Sequence, residues 1–126
     1  MPNDTRSSSI LNSVKHALGI LEEYTEFDTD IIMHINSTLM ILTQLGVGPS
    51  EGFIIEGDTE TWEDFMGDDP LFAAVKSYIF IKVRILFDPP QSGAVLNAMK
   101  EQAAEYEWRL GVNYDHKVIT GEDENE

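Results

Sequence analysis

Residues 71–87 form an almost uninterrupted apolar run between two proline-containing boundaries. Asp69 and Pro70 are typical of a helix start, with aspartate as the cap and proline in the first turn. Pro89 and Pro90 end the run, because proline cannot continue a helix. A helix that is apolar nearly all round is buried on most sides, or on one side in the core and on another against a second subunit.

This predicted helix also carries several of the chain's few cations. The chain has eight lysines and arginines, and Lys76, Lys82 and Arg84 lie here. Long basic side chains can cover apolar surface with their stems while their charged ends pair with acids. The three residues either pair with acidic loops of the same chain or are interface candidates that meet a neighbouring subunit. The charges also make the run unsuitable for spanning a bilayer.

Capping and stop signals predict an all-α fold, a small helical bundle of about four main helices. Ser8 or Ser9 can cap the first helix, and Ser92 the last. Asp28 is the expected cap of the second helix, with Phe27 before it as a possible hydrophobic staple. The helices are expected near residues 9–21, 28–46, 70–88 and 92–110.

A long, partly extended loop is expected between the second and third helices. Glycine and proline punctuate it, Phe53 begins a short extended piece, and Thr61 can cap one helical turn. A loop of this length in a small domain is usually functional or docks on something. Trp62 and Phe65 are interpreted as anchors that pin it to the bundle, and Phe53 and Trp62 are also interface candidates.

The predicted organisation is one helical domain at residues 9–111 between two terminal segments. Residues 1–8 are polar and are expected to be flexible. Gly111 is expected to end the last helix, since glycine often follows a helix C-terminus. Residues 112–126 are expected to form an acidic C-terminal tail.

The charge excludes several classes of function. The formal net charge is −15, and such a surface repels nucleic acid and anionic lipid. Sequence-specific nucleic-acid binding and membrane association are therefore not expected. The acidic surface either provides solubility or forms a wall that DNA passes without adhering.

No motif supports catalysis. The chain has no cysteine, which excludes disulfides and thiolate chemistry. Dinucleotide, phosphate-loop, nucleophile-elbow and zinc-protease motifs are absent. The three histidines lie in separate segments, and apart from Asp30, four residues before His34, none has a histidine or carboxylate at metal-ligand spacing on its own helix. The chain is expected not to be an enzyme and to need neither cofactor nor metal.

Three segments resemble a known family. They are KSYIFIKVRILFDPPQSGAVLNAMKEQAAEYEWRL (76–110), DTDIIMHINSTLMILTQLGVGP (28–49) and ETWEDF (60–65). Their order and spacing are similar to those of the head–tail connector (adaptor) proteins of siphophages and related prophages. The resemblance covers roughly residues 10–112, and VRILFDPP followed by a helix ending in EWRL is its most specific element.

The resemblance implies a structural virion protein. Its subunits would form a closed homo-oligomeric ring of about a dozen copies with head-to-tail contacts. That ring would lie below the portal protein, extend the DNA channel, and dock the next connector or a tail-completion protein at the head–tail junction. DNA would pass without specific binding. Assembly would take place in the host bacterial cytoplasm.

The resemblance also implies mechanical roles for its motif residues. Asp88, with Pro89 and Pro90, would set the turn between the last two helices. Trp108, with Leu110, would lock the fourth helix. Asp28 would help to build the second helix. No catalytic or cofactor role comes with the family.

Three other functions remain open. An acidic DNA-mimic inhibitor of a host DNA-binding enzyme would array its charges along helix faces, whereas here the acids cluster in loops and the tail. A structural or chaperone-like phage protein outside the virion is a second alternative. An uncharacterised hydrolase is a third, although no motif supports it.

Overall fold

The computed structural model describes the backbone of residues 6–120 and the side-chain surroundings of residues 6–114. Within this part of the chain the fold is all-α, as predicted, with five helices and no strand. The helices are α1 (Ile10–Ala17), α2 (Asp28–Gln44), α3 (Trp62–Met66), α4 (Phe72–Phe87) and α5 (Gly93–Thr120). No helix in the described residues is long and apolar enough to cross a bilayer.

Helix α4 lies at the centre and packs against α1, α2 and α5. Its buried side chains are Val75, Tyr78, Ile79 and Val83. They join a core that α1 and α2 supply with Ile10, Leu11, Val14, Ile31, Ile35, Leu39 and Leu42. The apolar run of the sequence therefore becomes the central helix of the bundle, with four buried side chains and most of the others partly buried.

Helix α1 ends earlier than the predicted limit at residue 21. Gly19 has φ +81°, and the Ile20 N–H donates to the Lys15 carbonyl oxygen at 2.9 Å. This is the geometry of a Schellman motif, which ends a helix at a left-handed residue. Leu21, predicted to be part of the apolar stripe, is exposed instead. The predicted cap at Ser9 is confirmed, because its Oγ accepts the Asn12 N–H.

The predicted cap of α2 is wrong by one residue. Phe27 occupies the N-cap position and makes no side-chain capping bond, while Asp28 is the first helical residue. The Asp28 carboxylate lies 2.8 Å from the buried Lys15 Nζ. The Asp28 carboxylate therefore pairs with the Lys15 ammonium, and no side chain caps the start of α2.

The predicted cap of α4 is also wrong. The helix begins at Phe72 with Leu71 as its N-cap, so Asp69 and Pro70 belong to the preceding turn. Asp69 Oδ1 accepts the Leu71 N–H at 2.9 Å, and Oδ2 accepts the Tyr114 hydroxyl at 2.5 Å. Asp69 therefore holds the turn and links it to α5 instead of capping the helix.

The long loop is attached to α2 by one amide side chain. Asn36 Nδ2 donates to the Ile55 carbonyl oxygen at 2.9 Å, and its Oδ1 accepts the Ile55 N–H at 2.8 Å. This pair of hydrogen bonds imitates the pairing of two strands and leaves the Ile55 side chain buried. Downstream, Thr61 and Asp64 form a capping box at the start of α3, which confirms the predicted turn.

The loop also depends on a glycine at residue 48. Gly48 has φ +81°, and a Cβ built on it would overlap the Phe65 ring. We expect Gly48→Ala to lower the free energy of unfolding by about 1–3 kcal/mol, from backbone strain and displacement of the ring. Gly57→Ala is the matched control, because nothing lies within 4 Å of its added Cβ. Urea unfolding measures both, and an equal loss in the two variants would contradict this account of Gly48.

Helix α5 starts as predicted, with Ser92 Oγ accepting the Val95 N–H at 3.2 Å. The predicted end at Gly111 is wrong, because the helix continues to Thr120. Leu110 and Tyr114, on either side of Gly111, are buried, and this packing carries the helix through the glycine. Residues 112–120 of the predicted tail are therefore helical, and residues 121–126 lie outside the described residues.

The N-terminal segment is tied to α3 from residue 6 onward. Arg6 donates to the Gly67 carbonyl oxygen at 2.8 Å, and the Glu63 N–H donates to the Arg6 carbonyl oxygen at 2.7 Å. Residues 1–5 of the segment predicted to be flexible lie outside the described residues.

Candidate assembly surface

An open apolar groove runs between α2 and residues 51–54. It has a volume of about 520 Å³ and is lined by Met33, Asn36, Ser37, Met40, Thr43, Glu51, Gly52, Phe53 and Ile54. Met33, Met40 and Ile54 are between 56% and 60% exposed. Glu51 is the one charged residue of this lining. Contiguous exposed apolar surface of this kind often marks a site of protein contact.

The groove exists because α2 is apolar on two faces. Its inner face buries Ile31, Ile35 and Leu39. Met33 and Met40 are two turns apart and lie on the outer face, since residues seven apart share one side of a helix. The Asn36–Ile55 hydrogen bonds hold residues 51–54 beside that face.

A second exposed apolar surface lies on α5. Trp108 is 69% exposed, and Val112, one turn later, is also exposed. Arg109 next to them pairs with Glu105, with Nη2 and Oε2 2.7 Å apart. The prediction that Trp108 locks the fourth helix is wrong, because Ala103, Leu110 and Tyr114 form the buried side of α5 and Trp108 lies off that side.

Lys82 lies in a small polar cluster between α4 and α5. Its Nζ is 3.5 Å from Glu107 Oε2, which also accepts the Tyr78 hydroxyl at 2.6 Å. Burial, reinforced by the hydrogen bond and the negative charge of Glu107, raises the pKa of Tyr78 well above its ordinary value. Tyr78 therefore stays protonated and acts as a donor that joins the two helices.

Lys76 lies over aromatic rings of its own helix. Its Nζ is 5.1 Å from the centroid of Phe72 and 5.9 Å from that of Phe80, distances at which cation–π attraction operates. Partial burial lowers the pKa of Lys76. These contacts within the subunit help to fix the position of the Lys76 side chain.

Arg84 contacts the turn that follows α4. Its Nε donates to the Asp88 carbonyl oxygen and lies 3.9 Å from Asp88 Oδ2. Asp88 is the C-cap of α4, and Pro89 and Pro90 follow it before α5 begins at Gly93. The predicted turn between the last two main helices is therefore present, and Arg84 braces it.

The interface candidates are not gathered in one place. Phe53 lines the groove and its ring packs 5.1 Å from that of Phe65. Trp62 is fully buried, so its prediction as an interface candidate is wrong, whereas its interpretation as an anchor of the loop to the bundle is confirmed. Lys76, Lys82 and Arg84 lie on α4, outside the groove lining. Their contact with a neighbouring subunit stays a prediction.

A family model described as "Phage connector protein" matches residues 10–117. The match spans most of the 126-residue chain. The chain belongs to this family of phage connector proteins. No curated protein and no solved structure matches it. Membership supports a structural role for the connector protein in assembly with other virion proteins, and it confirms the family suggested by the FDPP and EWRL segments.

The sequence reasoning missed the groove of the connector protein. The available signal was methionine at positions 33 and 40, off the Ile31–Ile35–Leu39 stripe. Flexible, polarisable methionines are common on adaptable binding surfaces. Ile54 was assigned to the extended piece, but its exposure depends on the Asn36 hydrogen bonds, which sequence alone does not reveal. Among the described residues, no three histidine, aspartate or glutamate side chains are placed to hold a metal ion.

Proposed function

We propose that this phage connector protein is a head–tail connector (adaptor) subunit. It would form a homo-oligomeric ring of about a dozen copies with head-to-tail contacts. The ring would lie below the portal protein, extend the DNA channel and dock the next connector or a tail-completion protein. The observation that carries the proposal is the family match over residues 10–117. The proposal assigns no catalytic step and no cofactor, and it places the protein at the head–tail junction after assembly in the bacterial cytoplasm.

The charge of the subunit suits a channel component. The net charge is −15, and Glu22, Glu23, Glu26 and Asp30 are all exposed around the start of α2. A negative wall repels the DNA backbone and gives it no binding site. The DNA would slide through such a ring without specific contacts.

The same charge opposes self-assembly in free solution. A ring of about a dozen subunits would carry roughly −180 charges, which favours separate subunits unless other contacts compensate. We therefore propose that the portal templates the ring. Higher salt should weaken the surface part of this repulsion, because screening shortens its range.

Arg84 tests whether the α4 cations contribute to the ring. Arg84 is partly exposed, and its contacts with Asp88 lie at the end of its own helix. Arg84→Ala should therefore change the free energy of unfolding by less than about 1 kcal/mol while weakening ring formation on the portal. Lys100→Ala is the matched control, since it removes the same charge from an exposed position of α5.

The measurement is analytical sedimentation with and without the portal protein of the same phage, at about 0.05 M and 0.5 M salt. The wild-type protein is expected to sediment as a monomer or weak oligomer alone at low salt and as a ring on the portal. A stable ring at low salt without portal would refute templating. No association with the portal under either condition would contradict the connector proposal. An Arg84→Ala protein that unfolds before it loses assembly would assign Arg84 to the fold of one subunit.

A further inference from the structure

We propose that the apolar groove receives the exposed face of α5 from a second copy of the chain, with Trp108 as its central contact. This inference rests on the proposed ring and names the surfaces that join its subunits. The groove is the one formed by α2 and residues 51–54, and the inserted face is that of Trp108 and Val112. Both surfaces are exposed in the single subunit.

One surface is a groove, the other projects from a helix, and the two share no residues. The groove is concave and has a volume of about 520 Å³, whereas Trp108 stands on the outside of a helix and is 69% exposed. When two different patches of one chain fit each other, the contact is heterologous. Repeated from copy to copy, such a contact generates a closed ring or an open filament. The subunit therefore carries both halves of a head-to-tail contact.

Charge also favours a second copy as the occupant. In a chain of net charge −15, copies can approach most easily where acidic residues are sparse. The groove lining has one charged residue, Glu51. Beside Trp108, Arg109 and Glu105 form an ion pair, so these two residues together add no net charge to this face. Arg109 and Glu51 would bring opposite charges to the rim of the contact, which assists orientation more than affinity.

The size of the contact explains why it would need a template. A tryptophan side chain buries about 150–250 Å², and Val112 and the groove rim add to that. A stable pairwise interface usually buries about 800 Å² on each partner. Two free copies would therefore associate weakly through this contact. Subunits held side by side on a portal gain a high effective concentration, so the same contact would then close the ring.

Cysteine cross-linking tests the arrangement directly, because the chain has no cysteine of its own. Met40→Cys places a thiol in the groove and Val112→Cys places one beside Trp108. A short bis-maleimide added to a mixture of the two proteins, bound to the portal, should give Met40–Val112 cross-linked dimers. Each variant alone should give no more product than Leu21→Cys, an exposed position outside both surfaces.

Trp108→Ala, introduced into the Val112→Cys protein, adds a second readout. We expect about thirtyfold less mixed cross-link, the loss typical of truncating an aromatic anchor at an interface centre, with an unchanged urea unfolding midpoint. Cross-links only between identical variants would overturn the proposal. So would a mixed yield at the Leu21→Cys level, or a cross-link from Met40→Cys to a different virion protein. If the wild-type protein still binds the portal in those cases, the connector role stands and only the proposed contact is wrong. If the wild-type protein never binds the portal, the connector role itself is contradicted.

Discussion

Replacing Trp62 with alanine is expected to lower the free energy of unfolding by about 3–5 kcal/mol, the usual cost of removing a large buried aromatic side chain. Trp62 is fully buried, and its rings meet Phe72 and Phe80 edge-on at 5.9 and 6.1 Å. Its Nε1–H donates to Ser13 Oγ at 3.0 Å. The substitution would leave a cavity where α1, α3 and α4 meet and would loosen the packing of α3 on the bundle.

The chain supplies its own control for this prediction, because its second tryptophan lies on the surface. Trp108 is 69% exposed, so Trp108→Ala should change the unfolding free energy by less than about 0.5 kcal/mol. Urea unfolding followed by circular dichroism compares the two variants. Equal losses would show that Trp108 packs within the subunit and would also remove the basis for its role between copies.

Lys15→Met is expected to cost about 3 kcal/mol, because it leaves a partly buried carboxylate without its partner. The Lys15 side chain is buried, and its Nζ donates to the carbonyl oxygens of Glu22 and Tyr24 at 2.9 and 2.7 Å. The same Nζ lies 2.8 Å from Asp28 Oδ1. One ammonium thus holds the connection between α1 and α2. Because the Asp28 side chain is 24% exposed, water can solvate the carboxylate in part. The expected loss of unfolding free energy is therefore at the lower end of the cost of breaking a buried ion pair.

Lys100→Met is the control for Lys15→Met, since it makes the same change at an exposed site of α5. Asp28→Asn should cost less than Lys15→Met, because an amide oxygen can still accept a hydrogen bond from the ammonium. Thermal and urea unfolding measure all three variants. A Lys15→Met protein no less stable than Lys100→Met would mean that the connection between α1 and α2 does not depend on Lys15.

The helices were predictable where the local sequence pattern alone determines where a helix lies and where it begins or ends. The apolar pattern of residues 71–87 predicts a helix that is buried on most sides, or in the core on one side and against a second subunit on another, and α4 lies at the centre of the bundle. Thr61 and Ser92 cap their helices as predicted, because each capping bond closes within three residues of sequence. Gly46, the predicted last residue of the second helix, has φ +97° and follows the C-cap Leu45, since a left-handed glycine is a local stop signal.

The failures share a different cause, which is contact between distant segments. Asp28 and Asp69 have the right residue type for caps, but a lysine on α1 engages the first and a tyrosine on α5 engages the second. Gly111 has the right residue type for a helix stop, yet α5 continues through it because Leu110 and Tyr114, on either side of it, pack into the core. Tertiary packing overrides local propensity at these positions.

The candidate surface was the hardest part to predict. The interpretation of Trp62 as an anchor to the bundle is correct, whereas the locking role that the resemblance implies for Trp108 is wrong. The orientation of α5 about its own axis explains why Trp108 is exposed. Its buried side carries Ala103, Leu110 and Tyr114, which leaves Trp108 facing outward. Sequence periodicity on α5 did not single out those residues, so the exposed Trp108 could not be separated from a buried one.

Imaging of the head–tail junction in purified virions, combined with mass spectrometry of the same particles, tests the central claim most directly. The account predicts that this chain is a stoichiometric virion component and forms a ring of helical subunits between the portal and the tail, with α2 of one copy against α5 of the next. Mature virions that lack the protein, or that hold it anywhere other than this junction, would contradict the account. Absence from virions would instead favour a protein acting in the infected cell, such as an acidic inhibitor of a host DNA-binding enzyme.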